Sequence, residues 1–312
     1  MKIKILSLFL LFTIFFAEAN DRGVRISTKM KNEQRVALII GNNDYQGALP
    51  KLRNPINDAR AIKNILKTRG FDIIYREDAS KKSMRTALNQ FSKKIKHGGV
   101  GFFYFSGHGL EVDGQNYLIP VDAEIDEKSD TQDEAIALRK ITKRMQNAKN
   151  RLNIVVLDAC RNDPFSRSVG TGGLAKSEPI GLFVSYSTGA GSVASDGKSG
   201  GNGLFTESLI RNMQKELDLR DVFQKTREEV YDASNHKQFP AIYNQVVKGK
   251  FFFTLPTTTS SSTKEIDSTI NNSYQSVAPK AINRSTKSES NSDFTFSEEM
   301  DNDFDNFMKD MN

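Results

Sequence analysis

Residues 102–109 read FFYFSGHG, and residues 154–161 read IVVLDACR. Each is an apolar run of strand length ending in a reactive side chain, His108 in the first and Cys160 in the second. Imidazole and thiol are the pair that forms and resolves a thioester, so the two runs point to a hydrolase with a cysteine nucleophile. Cys160 is the one cysteine of the chain, so an internal disulfide is excluded and the residue is either a buried hydrophobe or a working thiol. His108 sits between two glycines, which suggests close approach of another segment rather than an ordinary structural histidine.

Outward from these runs, strands and helices alternate. Residues 36–41, 71–75, 100–105, 153–157, 180–186 and 250–255 are strand-like. Helical periodicity marks 57–69, with Ala61, Ile62, Ile65 and Leu66 on one face, and 83–96, with Met84, Leu88, Phe91 and Ile95 in a stripe. Residues 138–148, 203–213 and 219–234 also read as helices, the first of them basic and amphipathic. Asp113-Gly114 within 110–121 predicts a hairpin. The alternation implies an α/β fold of three layers, a mostly parallel six-stranded sheet between helices. In such sheets reactive groups gather where loops leave the carboxyl ends of strands. That rule brings together 42–58, 106–109, 158–161 and 187–197.

The ends of the chain read differently. Two lysines within residues 1–4, an apolar run over 5–16 and Ala17-Glu18-Ala19 form a signal-peptide pattern, with the mature chain expected from Asn20. The run is short of the roughly 20 residues that span a bilayer, and no later segment is long and apolar enough, so a periplasmic or secreted protein without a transmembrane domain is expected. Residues 20–34 read as a linker and 35–256 as one catalytic domain. From Thr257 onward five Lys/Arg face ten Asp/Glu, leaving +11 for residues 1–256 of a chain whose net charge is +6. Residues 257–293 are rich in Ser, Thr and Asn and read as a disordered linker. Beyond it Met300, Phe304, Phe307, Met308 and Met311 recur at helical spacing among acids, as in a short acidic helix or a solubilising tail.

The motifs Ser106-Gly107-His108-Gly109 and Asp158-Ala159-Cys160-Arg161 resemble the two catalytic signatures of the caspase-like cysteine peptidases. Residues 186–191, YSTGAG, are similar to the start of the caspase small subunit, and residues 52–59, LRNPINDA, resemble a stretch of metacaspases. The resemblance covers about 35–255 and places the chain nearest bacterial metacaspases and paracaspase-like enzymes of peptidase family C14. It implies a caspase-like fold and a Cys160–His108 dyad, with the backbone N–H groups of Gly109 and Cys160 as oxyanion hole. Ser106 is the candidate neighbour lining the pocket.

Animal caspases cut after aspartate and line the specificity pocket with arginines and a glutamine. Aligned by motif, Asp158 stands in the glutamine's place, Asp196 in an arginine's, and Asp58 matches an acidic pocket residue of metacaspases. Carboxylates there suit an Arg or Lys side chain before the scissile bond. The plainer roles are a helix cap for Asp58, a turn-orienting group for Asp158 and an Asp-Gly turn for Asp196. The linker over 166–179 holds Arg167 and Lys176, candidate sites of self-cleavage. Some metacaspases need calcium, and Asp122, Glu124, Asp126, Glu127, Asp130, Asp133 and Glu134 form an acidic stretch, but EF-hand spacing is absent and a solvated loop with no cofactor is expected. Protein or peptide substrates are the expected partners. The alternatives are a catalytically silent binding module on the same fold and a basic surface protein that binds nucleic acid or anionic lipid. The lack of a recognised nucleic-acid motif counts against nucleic acid. Oligomeric state has no sequence signature here.

Overall fold

The computed structural model describes residues 33–95, 99–159, 181–189, 200–246 and 249–256. The chain divides into two compact units, Met1–Thr257 and Thr258–Asn312, and every described residue belongs to the first.

Six strands form one sheet in the order β2-β1-β3-β7-β8-β9. They are β1 (Arg35–Gly41), β2 (Asp72–Glu77), β3 (Val100–Gly107), β7 (Leu152–Ala159), β8 (Leu182–Tyr186) and β9 (Ala241–Asn244). The first five are parallel and β9 closes one edge antiparallel to β8. β1 and β3 are buried along their whole length, as their near-continuous apolar sequence requires of strands covered on both faces. A smaller antiparallel sheet holds β4 (Gly109–Val112), β5 (Gln115–Leu118) and β6 (Ile136–Ala137). The hairpin between β4 and β5 turns at Asp113 and Gly114, with φ of 50° and 72°, the left-handed pair that Asp-Gly adopts cheaply.

Helices flank the main sheet on both faces. On one lie α1 (Pro55–Thr68), α5 (Leu204–Met213) and α6 (Leu219–Ala233), which bury Ile62, Leu66, Phe205, Leu209, Val222 and Phe223 against alternate strand residues such as Ile39, Tyr104 and Val156. On the other lie α2 (Lys81–Lys94) and α4 (Leu138–Asn147), which bury Met84, Leu88, Phe91, Ile141 and Met145 against Leu38, Phe103, Phe105 and Leu157. A further short helix, α3, is Thr131–Glu134. α1 opens on Pro55, whose fixed φ suits a first turn, and α2 opens on Ser80, whose hydroxyl accepts from Ser83 N at 3.2 Å.

The sixth strand is not where the apolar pattern put it. Residues 250–255 form no strand of the sheet, only an isolated bridge from Phe252 to Asp218. Phe251 and Phe253 are buried in the cluster beneath α6, and the Phe251 carbonyl and N–H bond to Leu219 N and Asp218 Oδ2. Alternation there reports side chains reaching into a helix layer. The true edge strand, AIYN, is half exposed and carries only a weak signal.

Candidate active site

The loop after β1 is held by two asparagines. The fully buried Asn42 donates to Ile119 O at 3.0 Å and accepts from Ala79 N at 2.9 Å. Asn43 accepts from Ile56 N at 2.9 Å, donates to Arg53 O at 3.1 Å, and uses its backbone carbonyl to accept from Leu52 N. These bonds fix the course of residues 43–56. The carbonyl of Pro50 comes to lie 2.8 Å from His108 Nε2. Since a carbonyl only accepts, that nitrogen carries the proton and Nδ1 is left as the basic atom of a neutral ring.

His108 follows β3 directly. Its N–H donates to Tyr45 Oη at 2.7 Å, and the two rings lie 4.5 Å apart at 57°. Tyr45 is buried, which keeps its phenol protonated well above the ordinary tyrosine range. Gly107 makes the contact possible: a Cβ there would stand 2.5 Å from Tyr45 Oη and 3.0 Å from the Phe105 ring. Gly109 begins β4, opposite Leu118.

The register joins the two quoted runs at their ends. Ser106 pairs with Asp158 and Gly107 with Ala159, so the residues preceding His108 and Cys160 are direct partners on adjacent strands. Cys160 itself, with Asp196, Arg167 and Lys176, lies outside the described residues.

On the sheet face under α1 and α5, Tyr104, Ser106 and Asp158 point the same way, as their spacing of two dictates. Thr206, in the first turn of α5, donates from Oγ1 to Asp158 Oδ2 at 2.7 Å. Tyr104 Oη lies 2.7 Å from the same Thr206 oxygen. With the threonine proton committed to the carboxylate, the phenol must donate, so protons run from Tyr104 to Thr206 to Asp158. Burial first, then the negative fields of Asp158 and Asp58, hold the Tyr104 phenol well above its usual range and so keep it a neutral donor. Asp58 is 3% exposed and accepts from Gly203 N at 2.8 Å, just before α5. It does not cap its own helix, whose N-cap is Asn54. α1 brings it there because Gly41 lets the helix approach β1: a Cβ on Gly41 would meet Ala59 Cβ and Pro55 O at 2.7 Å.

Asp58, Asp158 and Ser106 are thus gathered around Tyr104 at the carboxyl edge of the sheet, the edge that also carries His108. Sequence reasoning missed Tyr45, Pro50, Tyr104 and Thr206. The period of two along β3 could have found Tyr104 as the same-face neighbour of Ser106. A backbone carbonyl such as that of Pro50 has no sequence signature. The acidic stretch from Asp122 to Glu134 makes local contacts: Asp122 accepts from Lys81 N at 2.7 Å, Asp130 from Asp126 N and Glu127 N, and Glu134 pairs with Lys81 at 3.6 Å. Among the described residues no group of three or more His, Cys, Asp or Glu side chains is placed to hold a metal ion, and no helix is long and apolar enough to cross a membrane.

Residues 34–252 match the model of the peptidase C14 family, described as the caspase domain. A 129-residue stretch is 33% identical to the human mucosa-associated lymphoid tissue lymphoma translocation protein 1, covering 41% of this chain and 15% of that protein. Metacaspase-1 of Mycosarcoma maydis is 33% identical over 109 residues, covering 28% of this chain and 27% of the relative. A probable protease of a Desulfuromonadales bacterium is 32% identical over 138 residues, 40% of this chain and 16% of that protein. The chain therefore spans less than a third of each of these relatives.

Proposed function

The chain belongs to the caspase-domain family of peptidases, and we propose that it is a cysteine-type endopeptidase that cleaves after Arg or Lys through a dyad of Cys160 and His108. Cys160 as thiolate attacks the peptide carbonyl, its proton passing to Nδ1 of His108. The tetrahedral oxyanion is held by the N–H groups of Gly109 and Cys160, each such donor lowering the barrier by about 3 kcal/mol. Collapse breaks the C–N bond, His108 returns the proton to the leaving amine, and a thioester remains. Water, deprotonated by the same imidazole, hydrolyses the thioester and restores the thiol. The Pro50 carbonyl supports this assignment, since it selects the tautomer with Nδ1 unprotonated and stabilises the imidazolium that forms.

The observation that carries the basic specificity is the placement of Asp58 against Gly203 N and of Asp158 against Thr206, both at the opening of α5. Two carboxylates converge on one side of the site, one accepting from a backbone N–H and the other from a hydroxyl. A guanidinium or ammonium is the group that such a site complements. Asp196 is a third member of this pocket, and Ser106 lines it.

In the same reading residues 1–19 direct export to the periplasm or exterior, and the enzyme cuts itself at Arg167 or Lys176. No cofactor is required. The test is hydrolysis of fluorogenic peptides ending in Arg, Lys or Asp by wild type, Cys160→Ala and His108→Ala. Cleavage after Arg or Lys that both variants abolish is expected. A preference for Asp would sink the pocket assignment, and no cleavage of any peptide would favour the silent module.

A further inference from the structure

We propose that the outer face of α2 and α4 is a docking surface for an anionic lipid bilayer. The two helices lie side by side over one face of the sheet, joined by their shared apolar cluster and by Arg144 Nη1 donating to Asn89 Oδ1 at 2.8 Å. Between them they carry nine Lys/Arg and no Asp/Glu. Residues 1–256 carry a net charge of +11, so these nine cations account for all but +2 of it. Most of the excess positive charge of that segment therefore lies on one face. The helices of the opposite layer carry seven cations and six acids, many of them paired, as in Arg60–Glu77 at 2.6 Å and Arg211–Glu229 at 2.8 Å.

On the basic face only two cations have an ion pair among the described residues, Lys81 with Glu134 and Lys94 with Asp72. Lys82, Arg85 and Lys93 of α2 and Arg139, Lys140, Lys143 and Arg144 of α4 are exposed without one. Lys93 and Arg144 stand in last turns, where cations are favourable, but the placement of the others opposes helix stability. Lys81 and Lys82 stand in the first turn of α2 and Arg139 and Lys140 in that of α4, where the macrodipole favours acids. Lys81/Arg85, Arg139/Lys143 and Lys140/Arg144 are like-charge pairs at i,i+4, a further unfavourable spacing. Two helices with these local costs, and with acids paired to only two of their nine cations, fit an external polyanion better than they fit a solvated structural surface.

The shape selects the polyanion. α2, at 14 residues, is about 21 Å long at 1.5 Å per residue, and α4 lies beside it, so the cations form a plate two helices wide. Among the described residues the exposed large hydrophobic side chains are Tyr231 in α6, Tyr243 on β9 and Phe239 in the loop between them, away from the plate. The plate thus offers no exposed aromatics for stacking bases. A plane of lipid phosphates meets a plate of cations without them. Docked this way the carboxyl edge of the sheet, with His108, stays open at the side.

The test is co-sedimentation of the full chain with vesicles of phosphatidylglycerol mixed equally with phosphatidylcholine, against phosphatidylcholine alone. Binding to the anionic vesicles alone is expected, abolished by about 1 M salt, where the screening length falls to about 3 Å. Each cation removed is expected to weaken it about fivefold, so a triple Arg139→Glu, Lys140→Glu, Lys143→Glu variant loses at least about 100-fold. These substitutions place acids in the first turn of α4 and so favour its helix, and circular dichroism verifies the fold. A Lys67→Glu, Lys225→Glu control on the opposite layer is expected to bind within a fewfold of wild type. Equal binding by the triple variant, an equal loss in the control, or retention of a DNA duplex with indifference to vesicles would each overturn the proposal.

Discussion

Replacing Thr206 by valine removes one oxygen and keeps the side-chain shape. The threonine hydroxyl donates to the Asp158 carboxylate and accepts from Tyr104, both at 2.7 Å. The first bond is charge-assisted, a class worth about 1.5–3 kcal/mol. Losing it removes one hold on the carboxylate, and the same energy expressed in substrate recognition is about 10- to 100-fold in kcat/KM. The second bond belongs to a fully buried phenol, whose other described partners are the Ser106 hydroxyl and Asp158 Oδ2 at 3.5 Å, so a stability loss of about 1–3 kcal/mol follows. Thr206 does not touch His108, so the loss should fall on KM for Arg- and Lys-ending peptides and leave kcat within a fewfold. Steady-state kinetics with urea unfolding separates the two effects, and Thr206→Ser, which keeps the hydroxyl, should restore KM. A valine variant with wild-type KM, or a serine variant as impaired as valine, refutes the role assigned to this hydroxyl.

Asp58→Asn keeps an oxygen to accept from Gly203 N, so its melting temperature should stay close to wild type while KM for basic peptides rises at least tenfold. Gly107→Ala should do the reverse of Thr206→Val: its Cβ drives out Tyr45, the acceptor of the His108 N–H, so kcat falls more than KM. Burial raises the Glu229 carboxyl, but Ser208, Arg211 and Asn212 outweigh it and bring it down to about 2. A lowered pKa adds stability above the unfolded value of about 4.3 and loses it as pH falls toward 2, so Glu229→Gln should cost about 1–2 kcal/mol at neutral pH, discounted for its partial exposure, and nothing near pH 2. Urea midpoints across that range check it. Expressed beside wild type, Cys160→Ala should accumulate as the uncut chain, and identical banding of the two would exclude self-processing.

What the sequence carried and what it withheld divide along physical lines. The burial of β1 and β3 on both faces and the amphipathic stripes of α1 and α2 were readable because one rule, apolar inward, set each period. The Asp113-Gly114 turn was readable because few residue pairs tolerate two left-handed φ values. The same rule misplaced the last strand, since Phe251 and Phe253 obey it while packing under α6 with their backbone bonded to the start of that helix. Asp58 and Asp158 could be nominated from residue type and motif position. Their supports could not, because Thr206 is 48 positions from Asp158 and Gly203 is 145 from Asp58. Nothing local marks a threonine in a first helical turn as the partner of a strand carboxylate.

The two carboxylates share a support, and that has a consequence for specificity. Asp58 comes from α1 and Asp158 from the end of β7, but Gly203 and Thr206, which bind them, both belong to the opening of α5. Some carboxylates elsewhere in the domain are met by cations, as Glu77 is by Arg60 and Glu229 by Arg211 and Lys215, and others by backbone N–H groups, as Asp130 is by Asp126 and Glu127. A neutral donor satisfies a carboxylate oxygen without cancelling its charge, whereas a guanidinium does both. Two like charges brought near one another repel, and the repulsion is relieved when a cation enters between them. On the proposed specificity, the opening of α5 holds the pair in a state that binding of a basic side chain improves. A shift of α5 by even 1 Å would loosen both bonds together, so Asp58→Asn and Thr206→Val should not be additive: the double variant should lose less in KM than the product of the single losses, and full additivity would show that the two carboxylates recognise substrate independently.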